Sequence, residues 1–124
     1  MQKKYDLAIL FTQPPFGSAI SREGLDALLA ASAFCEEDRL AICFVHDGVY
    51  NLCKGGRTEQ ILQKDHLAAF KLIELYDLSE CFICQQSVEK RQLNNAEWLF
   101  DSLRFVSNSE IFAILNQAEK VLTF

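Results

Sequence analysis

The chain has 124 residues, 50% of them hydrophobic, which is enough for one domain with a buried core. Twelve basic residues against seventeen acidic ones give a net charge of −5, and no basic run is longer than the pairs Lys3-Lys4 and Lys90-Arg91. Because an acidic chain repels phosphate backbones, we do not expect direct binding of nucleic acids.

The N-terminal segment and the cysteines indicate a soluble cytoplasmic protein. No uninterrupted apolar run reaches the roughly eighteen residues of a membrane span, and the segment MQKKYDLAILF lacks the long apolar region and cleavage site of a signal peptide. The five cysteines are an odd number, and Cys35 and Cys43 stand among apolar residues. This pattern is typical of free buried thiols in a reducing compartment.

The first part of the chain predicts a strand, a helix and a second strand. The apolar run at residues 7–11 predicts a strand that ends at the breaker segment 12–18. A helical pattern follows, with Ser18 or Ser21 as its candidate cap. Residues 40–45 are apolar on successive positions, which is typical of a central parallel strand covered by helices on both faces.

The rest of the chain predicts two further helices and several short strands. Residues 58–75 contain the helix-forming run DHLAAFKLIEL, and residues 81–84 predict the third strand. Residues 97–105 predict a less regular strand or a pair of short ones. Ser107 followed three positions later by Glu110 is a capping box that predicts the last helix, and the segment VLTF predicts a final strand.

Strands that alternate with helices predict an α/β fold. We expect a single domain over residues 1–124, an open sandwich of about five mostly parallel strands with helices on both faces. Sites in such sheets lie beyond the carboxyl ends of the strands. The regions of interest are therefore residues 12–18, residues 46–50 and the positions just after Ile83.

Cys81 and Cys84 stand three positions apart in the segment ECFICQQS. If both lie in one extended strand, their side chains point to opposite faces, so the two sulfurs cannot share a metal or easily form a disulfide. A thioredoxin-type pair needs the motif at a helix N-terminus, and a zinc site needs a second ligand pair. We expect no metal. Two interpretations stay open: both cysteines pack as small hydrophobic residues, or Cys84 is a reactive thiol at the end of a strand and the start of a helix.

Three other patterns have weaker functional meanings. His46-Asp47 could be a base with its orienting carboxylate, but Asp-Gly is also ordinary turn chemistry after a strand. The segment KGGR at residues 54–57 follows no predicted strand and lacks the Gly-Lys-Ser/Thr of a phosphate loop, so we interpret it as a surface loop. A flavodoxin- or receiver-like module needs a glycine- and hydroxyl-rich first loop or an acidic pair, and residues 12–18 contain one glycine and no acidic residue.

Four segments of the chain are distinctive when taken together: FTQPPFGSAISREGLDALLAASAF, FVHDGVYNL, KDHLAAFKLIELYDLSECFIC and AEKVLTF. In order and spacing they resemble the TusC subunit family of the DsrE/DsrF/DsrH-like sulfurtransferase proteins, and the likeness spans nearly the whole chain. Its most specific pieces are residues 16–26, the turn Asp47-Gly48-Val49, and Leu75-Tyr76-Asp77 ahead of the paired cysteines.

The resemblance implies a role in a cytoplasmic sulfur relay. Persulfide sulfur passes between proteins in such a relay and ends as the 2-thio group of a modified wobble uridine in certain tRNAs. The implied partners are TusB-like and TusD-like subunits in a heterohexamer with two copies of each of three subunits. The main persulfide cysteine belongs to the TusD-like subunit, contact with sulfur-carrier proteins is made through the complex, and no cofactor is implied.

The resemblance also selects the candidate site residues. In the sulfur-carrying relative the cysteine ends the third strand and precedes small residues and an Arg-Gly pair, so Cys84 is the candidate catalytic residue and Arg91 a candidate supporting residue. Gln85 and Gln86 stand in place of the small residues, and Gln92 stands in place of the glycine. Glutamines fill space that small residues leave open to a partner's backbone. We therefore expect a non-catalytic or weakly catalytic, partner-docking subunit, with a sulfurtransferase that uses Cys84 as the alternative.

Overall fold

The computed structural model describes residues 3–54 and 60–124, with the side chains of residues 60–64 excepted. Most of the predicted surface loop at residues 54–57 and the predicted helix start at residue 58 lie outside the described residues. Within the described residues the strands are β1 (Tyr5–Phe11), β2 (Leu40–Phe44), β3 (Cys53–Lys54), β4 (Cys81–Cys84), β5 (Glu97–Trp98), β6 (Arg104–Val106) and β7 (Ala118–Thr123).

Five of these strands form one parallel sheet in the order β6-β4-β2-β1-β7. The predicted parallel α/β fold is therefore confirmed. The two-residue strands β3 and β5 pair separately and antiparallel, with Cys53 opposite Trp98. The irregular segment near residue 100 is thus a pair of short strands that belong to different sheets.

The described helices are α1 (Ile20–Ala31), α2 (Gln60–Phe70), α3 (Leu72–Leu75), α4 (Gln85–Lys90) and α5 (Asn108–Asn116). Two 3-10 segments, Glu37–Arg39 and His46–Leu52, precede and follow β2. None of the described helices is long and apolar enough to cross a membrane.

The two faces of the sheet are covered unequally. On one face, helices α1 to α4 and the apolar strand residues form the larger core, where the rings of Phe11 and Phe44 stack at 4.8 Å and Phe70 meets Phe11 edge-on at 5.5 Å. On the other face α5 is the only one of the described helices that packs, and its buried Ile111 belongs to a smaller cluster that includes Cys84. Burial on both sides explains why β2 is apolar at every position.

Two predicted boundaries are wrong for physical reasons. The residue before α1 is Ala19, which has no side chain that can cap the helix, although the hydroxyl of Ser18 accepts from the Ile20 amide at 3.4 Å. The hydroxyl of Ser21 instead donates to the carbonyl oxygens of Gln13 and Pro14, at 2.9 and 3.2 Å. Strand β7 begins at Ala118, three residues before the predicted start. The prediction missed these residues because the polar residues of an exposed edge strand give no apolar signal. The Ser107 cap is confirmed: its hydroxyl accepts from the amide of Glu110 at 3.1 Å.

Candidate functional site at the carboxyl ends of β2 and β4

Cys84 is the last residue of β4 and the first residue before α4. Its side chain lies on the α5 side of the sheet, whereas Cys81 lies in the larger core on the opposite side. The separation is the one that strand geometry requires of residues three apart. Cys84 is only 2% exposed, so the thiol stands at the edge where parallel sheets place their sites and is covered there.

Gln86 supplies the polar contact to this sulfur. The Cys84 thiol donates to Oε1 of Gln86 at 3.8 Å, and the same oxygen accepts from the backbone amide of Asn108 at 2.8 Å. Asn108 is the first residue of α5, where amide groups lack partners inside the helix. The Gln86 side chain therefore links the start of α4, the sulfur and the start of α5. The side chain of Gln85 points elsewhere and donates to Glu89 at 3.1 Å.

Arg91 contacts the segment that follows β2 and the helix that follows β4. Its guanidinium donates to the carboxylate of Asp47 at 2.9 Å and to the carbonyl oxygen of Ser87 at 3.2 Å. The hydroxyl of Ser87 accepts from the backbone amide of His46 at 2.9 Å. The structure thus brings the HDG turn, residues 46–48, into contact with α4 and the residue after it. Asp47 pairs with Arg91 and not with the ring of His46.

The backbone at this edge is held in unusual conformations. His46 has φ of 52° and Gln92 has φ of 58°, both in the left-handed region that favours glycine. Gln92 is the position at which the resemblance implies a glycine, so the chain keeps a glycine-like turn there with a glutamine. The Ser87 hydroxyl and the Arg91 contacts lie directly beside these two turns and help to hold them.

The loop after β1 is fastened by buried polar contacts. The side-chain amide of Asn51, which is fully buried, donates to the carbonyl oxygens of Gln13 and Gly48, both at 2.9 Å. Gly48 itself lies against the end of β1, because a Cβ added there would stand 2.0 Å from the carbonyl oxygen of Phe11. A side chain at position 48 does not fit, which explains the glycine of the HDG turn.

The remaining cysteines are free and packed. Burial raises the pKa of the Cys43 thiol to about 12 and also raises the pKa of Cys81. Burial raises the pKa of Cys35 and Cys53 in the same way. Since the thiolate is the nucleophile, these four thiols are poor ones at neutral pH. Within residues 3–54 and 60–124, no group of three His, Cys, Asp or Glu side chains is placed to hold a metal ion.

The structure thus groups the sequence candidates into two contact sets. Cys84 contacts Gln86, and Arg91 contacts Asp47 and Ser87. The sequence pattern gave no signal for the links from Gln86 to Asn108 or from Asp47 to Arg91, because the partners are 22 and 44 positions apart in the chain. Only the fold makes them neighbours.

Comparison with known proteins places the chain in a family. A model of the DsrE/DsrF-like family matches residues 6–124. The TusC homologue of Haemophilus influenzae is 47% identical over 118 residues, covering 95% of this chain and 98% of that protein. The TusC homologues of Pasteurella multocida and Vibrio parahaemolyticus are each 42% identical with the same coverage.

A solved structure agrees on the fold. The crystal structure of the YchN protein from Escherichia coli matches with a TM-score of 0.77 and 19% identity, covering 100% of both chains. At that identity the likeness concerns the fold alone. With the family model and three TusC homologues matched over nearly the full length, the chain belongs to the DsrE/DsrF-like family.

Proposed function

We propose that this chain is the TusC-type subunit of a cytoplasmic sulfur-relay complex, folded as a single DsrE/DsrF-like domain. The complex is a heterohexamer with two copies each of this chain, a TusB-like subunit and a TusD-like subunit. It passes persulfide sulfur towards 2-thiolation of the wobble uridine in tRNA. Kinship with TusC homologues at 42–47% identity supports this assignment.

Within the complex the chain mainly builds structure and docks partners, and the principal persulfide cysteine lies on the TusD-like subunit. The observation that carries this role is the burial of Cys84, which is 2% exposed and whose thiol contacts Gln86. In sulfur transfer a thiolate attacks the outer sulfur of a donor persulfide, forms a new S–S bond and releases the donor as a thiolate. A covered thiol does not admit that donor.

The surface supports the docking role. Phe34, Leu75 and Phe112 are 91%, 69% and 60% exposed. Large apolar side chains in such number on a small domain are typical of surfaces that other proteins cover. The net charge of −5 suits contact with protein partners better than contact with tRNA.

The alternative function is a sulfurtransferase in which Cys84 itself carries the persulfide. The position of Cys84 favours it, because the residue ends β4 at the carboxyl edge of the sheet. The resemblance implies the sulfur-carrying cysteine at this same position. In this case the Gln86 contact opens during the reaction, and Arg91 supports the loop that presents the thiol.

One experiment tests both the assignment to the complex and the role of this chain within it. The chain is expressed with a tag beside the TusB-like and TusD-like proteins of the same cell, and the purified material is loaded with labelled sulfur and mapped by mass spectrometry. We expect three subunits in equal ratio and label on the TusD-like subunit only. A chain that purifies without these proteins contradicts the assignment, and stoichiometric label on Cys84 supports the alternative.

A further inference from the structure

We infer that the Gln86 side chain is a clasp that masks Cys84 by joining the start of α4 to the start of α5. The inference rests on the proposed function only in treating Cys84 as the position of the relatives' sulfur carrier, since the contacts themselves belong to this chain. In the folded chain the Cys84 thiol therefore stays masked unless the contact between Gln86 and Asn108 breaks.

A single oxygen atom makes the clasp. Oε1 of Gln86 accepts from the Asn108 amide at 2.8 Å and from the Cys84 thiol at 3.8 Å. A carbonyl oxygen has two lone pairs, so both contacts are made at once. The Asn108 contact is the shorter one and is made by a rigid backbone group. It therefore fixes the amide over the sulfur.

The rest of the Cys84 environment is apolar and would stay in place without the clasp. Phe82 and Ile111 are buried in the same cluster as Cys84, and Val106 packs against that cluster. The Gln86 side chain, in contrast, is exposed and reaches across the carboxyl edge of the sheet. Removing it opens a path from solvent to the sulfur, and it frees the Asn108 amide beside that path.

Gln85 provides a matched control because it has the same side chain one position earlier. Its amide donates to the carboxylate of Glu89, four residues later on the same helix, at 3.1 Å. In the described part of the chain it has no hydrogen bond to Cys84 or to α5. Removing the Gln85 side chain therefore alters the surface of α4 and leaves the cover over the sulfur intact.

The test is the rate at which iodoacetamide alkylates each cysteine of the folded full chain, resolved by peptide mass spectrometry. Alkylation joins sulfur to carbon with loss of iodide, so it reports access to the sulfur without any sulfur-relay partner. In Gln86→Ala we expect alkylation of Cys84 to rise by about tenfold, the equivalent of one lost hydrogen bond. Gln85→Ala should match the wild type. Gln86→Glu keeps an acceptor oxygen for the Asn108 amide and should keep Cys84 slow.

Cys43 and Cys81, which are fully buried, act as internal reporters of unfolding. If they gain reactivity together with Cys84 in Gln86→Ala, the side chain supports the whole fold and the clasp is wrong. An unchanged Cys84 rate in Gln86→Ala, or an equal rise in Gln85→Ala, also overturns it. These results do not depend on partners, so a chain that fails to co-purify with TusB-like and TusD-like proteins leaves the clasp testable.

Discussion

At the residue scale, the environment of His66 shows how burial sets protonation. The ring of His66 lies on Phe70 with centroids 4.4 Å apart. Burial lowers the pKa of His66 to about 4; the polar backbone of Asn51 opposes this shift, and the nearby Arg22 charge adds to it. The folded protein therefore holds this histidine neutral at mildly acidic pH.

His66 should make the folded state less stable as the pH falls from about 6.5 to about 4. The unfolded chain protonates this histidine below its ordinary pKa of 6.5, whereas the folded chain does not do so until about 4. The unfolded state thus binds more protons in this window, and stability falls by less than about 1.4 kcal/mol per pH unit, the limit for one proton. Urea denaturation at several pH values measures the slope. His66→Phe keeps a ring against Phe70 and should flatten it.

A second substitution separates this effect from the carboxylates. The hydrogen bond from Arg39 lowers the pKa of Asp6 below its ordinary value of 3.8, so Asp6 titrates below the His66 window. Asp6 affects stability only below about pH 5, where the unfolded chain begins to protonate it, so Asp6→Asn should keep the slope between pH 6.5 and about 5. A His66→Phe protein with the wild-type slope would show that another group titrates there.

At the element scale, α5 has a larger role than its nine residues suggest, because no other helix within residues 3–54 and 60–124 covers that face of the sheet. Its first turn receives two side-chain contacts. Ser107 accepts from the Glu110 amide at 3.1 Å, and Gln86 accepts from the Asn108 amide at 2.8 Å. The cap and the clasp thus satisfy different amides of the same helix end.

Ser107→Ala should destabilise the fold by about 1 kcal/mol, the usual cost of losing a helix cap. The loss has a direct cause, since the Glu110 amide would lose its acceptor. The midpoint and slope of urea denaturation give the free energy of unfolding. Ser109→Ala, inside the same helix at an exposed position, serves as the matched control and should change it by less than about 0.5 kcal/mol. Equal effects of the two substitutions would mean that the cap contributes nothing.

The same helix shows what a sequence can predict. The Ser107 cap was predictable because both partners lie within one turn, and β2 and β4 were predictable because burial on both faces leaves a continuous apolar run. Strand β3 was missed because two residues carry no periodicity. The Gln86 clasp could not be predicted either, because its contact with Asn108 exists only when α5 packs against β4. The sequence showed only that a glutamine fills space that a small residue would leave open.

At the scale of the whole molecule, the apolar surface implies that the isolated chain does not stay monomeric. Phe34 and Phe112 have the two most exposed aromatic side chains. Exposed rings of this size favour association with other protein surfaces. In the proposed complex, sister subunits would take the place of self-association.

We expect the isolated chain to self-associate in sedimentation velocity, and the double substitution Phe34→Ser with Phe112→Ser to shift it towards monomer. Glu37→Ser, at an exposed charged position near Phe34 in the sequence, should leave the distribution unchanged. Co-expression with the TusB-like and TusD-like subunits should replace the mixture by one complex. A wild-type chain that is monomeric at high concentration would contradict the docking role.

The position of β7 has a consequence for biosynthesis. Strand β1 lies between β2 and β7, and the Phe124 amide donates to the Leu10 carbonyl oxygen at 2.8 Å. The strand that is translated first therefore acquires one of its two neighbours only when residues 118–123 have left the ribosome. Until then one edge of β1 stays open to other chains, because contacts of such long sequence separation form late. Nascent chains of this protein should accordingly need protection by chaperones until residues 118–123 have emerged and paired with β1.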